Sequence, residues 1–423
     1  MSKYYDEKIE CISQDELKKI QLELFNRQLS RAKNAEAYKG KLPDRISNLA
    51  EIQNLPFTTK DDLKKNSPFG FLAVPFDKVV RTCGTTGTTG TPILIFYTMS
   101  DLENFAISKA RHYSISGLNK GDSIQCMMNL NLSVTNLCHL ACEKIGANFI
   151  PAGAGNSIKQ LDTLDTLKTE YCFSTPNYLM HLCDLAQKEG RKLPLKKAIV
   201  WGEPCSPLIK NRILTEYKIE MFDNYGSTEM AGGVACECSY HNGLHIEEDY
   251  YYVEILDPVT EKPVPDGEYG ELVITPLYHE AMPFIRYKTR DITRIIPEPC
   301  PCGRTHKRIE PITHRIDDML LINGANVFPS QIEECIYKHL STATNYLIHV
   351  TEKDDLKKLV IDVELPPELL NDAKAVKNLE KDLINCTQAR ISVSPVFNFI
   401  AQGTLPNTEG QKITRVVKDL HTR

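Results

Sequence analysis

No apolar run in this 423-residue sequence approaches the roughly 18 residues that a membrane span needs. Positive charge is not in excess either: 50 Lys and Arg stand against 55 Asp and Glu, a net charge of -5. No basic field is therefore available to draw in nucleic acid or an anionic membrane. The opening residues, Met1-Ser-Lys-Tyr-Tyr-Asp-Glu-Lys8, are polar and lack the apolar centre of a secretory signal. Internal repeats and low-complexity tracts are missing. Fourteen cysteines are too diluted in a chain of this length to form a disulfide scaffold. Cys126, Cys138, Cys142, Cys172 and Cys183 sit among apolar neighbours and are expected to be small core hydrophobes. These absences predict a cytoplasmic protein with neither nucleic acid nor membrane as a partner.

The composition, 42% hydrophobic and 25% charged, is that of a soluble globular chain long enough for two or three folding units. Apolar residues from Glu7 to Ala37 recur at near-helical spacing and predict an amino-terminal helix. From Val79 to about Leu277, β-rich runs alternate with helical patterns. The predicted strands are Val79–Thr82, Ile93–Tyr97, Ser123–Met128, Ala147–Ile150, Tyr171–Ser174 and Lys197–Trp201. Asp101–Ser116, Thr135–Lys144 and Asn177–Glu189 are the predicted helices. Such alternation predicts βαβ units around a largely parallel sheet. The last hundred residues change style, with strands at Asn345–Thr351 and Lys358–Leu365, a helix from Pro366 to about Thr387, and a final strand at Ile391–Ile400. The fold class is therefore α/β: a large domain over 1–315 and a small, mobile α+β domain over 316–423.

The stretch Thr85-Thr-Gly-Thr-Thr-Gly-Thr-Pro92 combines glycines, which permit tight turns and close backbone approach, with hydroxyls that donate to phosphate oxygens. It is no Walker A loop, because Gly-Lys-Ser/Thr does not follow. By itself it could equally be a surface turn. It resembles the Ser/Thr/Gly-rich loop of the adenylate-forming superfamily, which includes acyl-CoA synthetases. Four further segments follow in that superfamily's order: Trp201-Gly-Glu-Pro204, Asn224-Tyr-Gly-Ser-Thr-Glu229, Arg286-Tyr-Lys-Thr-Arg-Asp291 and Arg315-Ile-Asp-Asp-Met-Leu320. Pro283–Asp291, Asp317–Leu320 and Asn326–Glu334 are similar to the phenylacetate–CoA ligase branch.

The resemblance implies an ATP-dependent acid–thiol ligase that makes an acyl adenylate from a carboxylate, then a thioester with coenzyme A, releasing AMP and pyrophosphate. It implies that Thr85, Thr86, Gly87, Thr88, Thr89 and Gly90 cradle the β- and γ-phosphates. Glu229 would hold Mg²⁺, a hard cation suited to oxygen ligands. Tyr225, within Asn224-Tyr-Gly226-Ser227-Thr228, would lie against adenine, bordered by Gly202, Glu203 and Pro204. Asp291 would accept from the ribose hydroxyls, assisted by Arg315, although these two could instead form a plain salt bridge. Lys412 would reach the reacting phosphate, with Glu229 and Thr88 as the other catalytic groups. Asp317 would be the hinge, and Gly324 would let the backbone pass close to the coenzyme A arm. A homodimer is the assembly that relatives suggest.

Cys238, His245, Cys300 and Cys302 form a second constellation, three soft thiolates and one imidazole that suit a closed, tetrahedral structural zinc. Cys236 and His241 lie near enough in sequence to replace two of them. Some members of the ligase branch carry such a site. The chain departs from the family at Thr91, where lysine or arginine is common, and at His314, Asn323 and Asn407. Asn129, Asn131, Asn136 and His139 occupy the stretch where the acyl pocket is expected, and could mean a more polar acid than phenylacetate. Two other outcomes stay open: transfer to a carrier-protein thiol or an amine, or AMP retained on the substrate; and a nucleotide-binding scaffold without turnover.

Overall fold

A computed structural model describes residues 3–84, 93–130, 133–312, 314–323, 325–340, 344–353, 356–391, 393–405 and 415–419, and the elements below are those of the described residues. The alternation predicted for the first half is present. Strands Ser123–Cys126, Asn148–Ile150, Tyr171–Ser174, Lys197–Val200 and Glu220–Ser227 pair in parallel. Helices Met99–Ile115, Ser133–Ile145, Ser157–Leu167 and Pro176–Lys188 intervene along the chain. These strands read as near-continuous apolar runs because both faces are covered; Ile124, Cys126, Cys172, Phe173, Ala198 and Ile199 are buried. Burial also explains the core cysteines, and it pushes the Cys126 thiol up to about 12.

The expected alternation ends at Glu220–Ser227, well before Leu277. From there the same sheet continues antiparallel through Gly232–Glu237, Leu244–Ile246, Arg308–Ile309 and Ile295–Ile296. A separate four-stranded antiparallel sheet holds Tyr251–Leu256, Gly270–Pro276, Tyr287–Thr293 and His314–Arg315. The part of the large region after Ser227 is thus built of antiparallel hairpins rather than βαβ units. The amino-terminal helix also differs from its prediction. It is split into Glu7–Glu10 and Gln14–Ala32, because Ser13 turns extended and its side chain caps the Glu16 amide.

Leu320–Ile322 pairs with Ala325–Val327, and the carboxyl-terminal sheet runs Val396–Ala401, Leu356–Leu365, Tyr346–Lys353, Val416–Asp419. Helices Pro329–His339 and Ala373–Ile391 bring Ile332, Ile336, Leu379 and Leu383 into the core that this sheet shares. The helix expected over 366–387 is interrupted near Asn371, leaving a short Pro367–Leu370 turn ahead of the longer helix.

Candidate active site

Among the described motif residues, Tyr225, Glu229, Tyr287, Asp291 and Arg315 come together just past the carboxyl ends of the parallel strands, where open α/β sheets offer their ligand crevice. Strand Glu220–Ser227 leads into Glu229, and its hairpin with Gly232–Glu237 carries a register shift at Tyr225/Gly226. A side chain at Gly226 would collide with the Gly232 carbonyl, so the hairpin closes only over glycine. Tyr225 donates its hydroxyl to Asp291 Oδ2 at 2.5 Å. Burial and the adjacent carboxylate push that hydroxyl's pKa well above its ordinary value. Asp291 lies on strand Tyr287–Thr293 directly opposite Arg315, which explains the 2.9 Å ion pair between Arg315 Nη1 and Asp291 Oδ1. Arg315 Nη2 also donates to the Thr289 carbonyl at 3.2 Å. The salt bridge contemplated for Asp291 and Arg315 is therefore present.

Glu229 is buried at 7% exposure and accepts from the Tyr287 hydroxyl at 3.2 Å. Next to it, the Thr228 carbonyl accepts from the Tyr97 hydroxyl at 3.4 Å. Tyr97 ends the strand Leu94–Tyr97, which pairs antiparallel with Arg81–Gly84. The Gly84–Leu94 pair closes the base of the threonine–glycine loop, so Tyr97 ties that base to the Glu229 segment. Thr85–Gly90, Gly324 and Lys412 themselves lie outside the described residues.

The turn after strand Lys197–Val200 has Gly202 at φ +94°, a left-handed conformation that favours glycine. Glu203 turns back to accept from the Asn177 amide at 2.8 Å, at the amino end of helix Pro176–Lys188. A carboxylate there is favoured by the helix dipole. Pro204 is exposed beside it. Among the described residues, Asn224 Nδ2 and Ser227 Oγ are buried without a hydrogen-bond partner. Buried polar atoms are seldom left so; these two flank the Tyr225-Gly226 pair of the motif. Asp223, one residue before the motif, is pushed up to about 7 by burial and by the Glu237 carboxylate.

At the hinge, Asp317 accepts from Arg290 Nη1 at 2.7 Å, and Arg290 also approaches Asp61 at 3.4 Å. The sequence motif contained Arg290, Tyr287 and Arg286 but no reason to separate their tasks. Arg286 is a packing cation. It is 1% exposed, pairs with Glu254 at 2.9 Å, and donates to the Gln53 and Leu55 carbonyls. In the stretch expected to line the acyl pocket, Met127 and Met128 are buried and His139 lies near the Phe149 ring. Asn131 and the Asn136 side chain are outside the described residues.

The second constellation comes together. Ligand atoms of Cys238, His245, Cys300 and Cys302 all lie within 4.8 Å of one another, and all four residues are buried. Cys236 and His241 do not join them. Cys236 is buried near Glu247, and His241 lies between Glu237 and Glu220 at 3.2 and 3.0 Å. A tetrahedral zinc requires sulfur–sulfur edges of about 3.8 Å and sulfur–nitrogen edges of about 3.5 Å. The Cys238–Cys300 sulfur separation is 3.7 Å, and Cys302 Sγ stands 3.3 Å from His245 Nε2. The amino terminus packs on this loop: Tyr4 donates to the Cys302 carbonyl at 3.1 Å and Arg304 to Glu10 at 2.5 Å.

Comparison with known proteins agrees with this geometry. Residues 25–276 match the AMP-binding enzyme family model, and residues 324–419 the AMP-binding enzyme C-terminal domain. The phenylacetate-coenzyme A ligase of Aromatoleum evansii is 38% identical over 375 residues, 86% of this chain and 84% of that protein. A crystal structure of 2-hydroxyisobutyryl-CoA ligase in the postadenylation state, in complex with R3-HIB-AMP, superposes with a TM-score of 0.90 at 26% identity. It covers 99% of this chain and 93% of that one. The same ligase in the thioesterification state, with 2-HIB-AMP and CoA, gives 0.73 at 27% identity over the same shares of both chains. The arrangement of the whole chain here is thus nearer to the postadenylation structure. By sequence, fold and site order alike, the chain belongs to the AMP-binding, adenylate-forming enzyme family, in its phenylacetate–CoA ligase branch.

Proposed function

We propose that the protein is an AMP-forming acid–CoA ligase acting on phenylacetate or a related aryl acid. The substrate carboxylate attacks the α-phosphorus of ATP and pyrophosphate leaves; the thiol of coenzyme A then attacks the acyl carbonyl, and AMP leaves. The observation that carries this reading is the Tyr225–Asp291–Arg315 chain beside the buried Glu229, at the strand ends where a nucleotide would lie. Phosphoryl transfer is governed by positioning and by donors aimed at developing charge. Thr85, Thr86, Gly87, Thr88, Thr89 and Gly90 receive the terminal phosphates, and Asn224 Nδ2 and Ser227 Oγ, buried without partners among the described residues, are further donors in the Tyr225 motif. The Tyr225–Asp291 hydrogen bond fixes the carboxylate for the ribose hydroxyls, and Gly202, Glu203 and Pro204 border the base.

Glu229 holds Mg²⁺; its single described donor, Tyr287, leaves lone pairs for a hard cation, which neutralises phosphate charge when bound. Lys412 supplies the mobile cation to the reacting phosphate. The small domain, 316–423, turns at Asp317 so that Gly324 lines the coenzyme A path in the second half-reaction. Cys238, His245, Cys300 and Cys302 hold a structural zinc, closed by four protein ligands and so without an open position for catalysis.

The test is pyrophosphate release over a panel of acids, with and without coenzyme A. Aryl acids should support release, and coenzyme A should free AMP as the thioester appears. Adenylate formation indifferent to coenzyme A would assign another acceptor. No release with any acid would remove the ligase reading.

A further inference from the structure

The two domains meet at a polar contact that none of the sequence motifs contains. Tyr337, on the small-domain helix Pro329–His339, donates its hydroxyl to Asn177 Oδ1 of the large domain at 3.3 Å. Asn177 is the residue whose backbone amide caps Glu203 at 2.8 Å, so the contact lands one bond away from the base-bordering turn. Behind Tyr337, one helical turn earlier, stands Glu333, which accepts from the Tyr346 hydroxyl at 3.1 Å. Arg415 completes the group. Its guanidinium lies 4.4 Å from the Tyr346 ring centroid, and donates to Asn345 Oδ1 at 2.5 Å and the Tyr346 carbonyl at 3.0 Å.

The electrostatics of this group cross the domain boundary. Glu203 and Glu333 both bear on Tyr337, and the Glu333 carboxyl is raised by burial and by Glu203 while Arg415 opposes that rise. Two carboxylates from different domains face one another, and one arginine just ahead of the carboxyl-terminal strand compensates. That arginine follows Lys412 by three residues in the sequence. The whole-chain arrangement in which the group forms is the one nearer the postadenylation neighbour than the thioesterification one.

We propose that the Tyr337–Asn177 contact, backed by Glu333, Tyr346 and Arg415, is a positioning device that docks the small domain against the base-bordering turn in the pose used for adenylation. It rests on the proposed ligase reading and on Lys412 serving the first half-reaction. Tyr337 touches no substrate; it acts by selecting the docked pose. A contact made in only one of two poses speeds only the half-reaction of that pose.

The experiment measures the two half-reactions separately, with an acid that the wild-type enzyme turns over. Tyr337→Phe and Asn177→Ala should each slow pyrophosphate release about three- to tenfold, the scale of one lost hydrogen bond. Thioester formation from synthetic acyl adenylate and coenzyme A should stay at the wild-type rate. The double variant should be no slower than the slower single variant, since both remove the same contact. An equal fall in both half-reactions, or additive losses in the double variant, would reduce the contact to ordinary packing and overturn the proposal. A wild-type enzyme silent toward every acid would instead overturn the ligase reading.

Discussion

The candidate nucleotide crevice, where the mixed sheet meets the four-stranded one, and the cysteine–histidine cluster, set on the mixed sheet alone, hold different kinds of polar groups. The cluster gathers three thiols and one imidazole within 4.8 Å, with His245 Nδ1 buried without a hydrogen-bond partner among the described residues. The crevice is incomplete. Asn224 Nδ2 and Ser227 Oγ are buried without partners among the described residues, and Asp223 is held close to neutrality by burial. A site that must receive a ligand keeps some of its polar atoms waiting, at a cost to stability.

Removing the charge proposed to act on phosphate should break the contrast most severely. Lys412→Ala should lower the adenylation rate about 10²–10³-fold, the loss seen when one donor to developing charge is removed. Thioester formation from synthetic adenylate should survive, and stopped-flow measurement of each half-reaction would decide. Asp291→Ala comes next. It removes the ribose acceptor and strands Arg315, and should raise the KM for ATP about 10- to 100-fold, the range for hydrogen bonds to a charged group. Normal ATP saturation would place the ribose elsewhere.

The cluster should answer differently. Cys300→Ser should abolish stoichiometric zinc and lower Tm by about 5–10 °C, while the rate measured well below Tm changes less than twofold. Equal zinc content in variant and wild type would dissolve the comparison. The smallest effect is expected at Asp223. Its folded pKa, about 7, lies above the ordinary aspartate value, so between those two values the folded state binds a proton that the unfolded chain has released. Its contribution to stability therefore falls as pH rises through that window and is lowest above pH 7. Asp223→Asn should raise Tm by a few degrees (about 2–4 °C) at pH 8 and leave it unchanged at pH 4.

The crevice was largely legible in the sequence because adenylate chemistry constrains short local motifs: a Gly226 without room for a side chain, a left-handed Gly202, a carboxylate at 229. What escaped was whatever depends on pairing between distant segments. The four-stranded sheet and the hairpins after Glu220–Ser227 look in sequence like further alternating units, and only register reveals them as antiparallel. Tyr287 and Arg290 stood inside a recognised motif, but their partners Glu229 and Asp317 belong to other segments. Asn177 and Tyr337 carried no local signal, since their contact joins segments 160 positions apart. The choice among Cys236, Cys238, His241 and His245 is likewise made by strand register. Cys236 is opposite His245 in the ladder, but Cys238, just past the strand end, turns its sulfur to the Cys300 loop.

The seating of the amino-terminal residues on the cysteine loop sets an order of events during synthesis. Glu10 and Arg304 are separated by 294 positions, so at bacterial or eukaryotic elongation speeds the first helix waits about 15–60 s for its partner to leave the ribosome. Over that interval, helix Glu7–Glu10 has no Arg304 to fasten it, while Cys238 and His245, made 62 and 57 positions ahead of Cys300 and Cys302, wait only about 3–12 s for theirs. Closure of the large domain is consequently a late act, with completion of the cysteine–histidine cluster and fastening of the leading end arriving together.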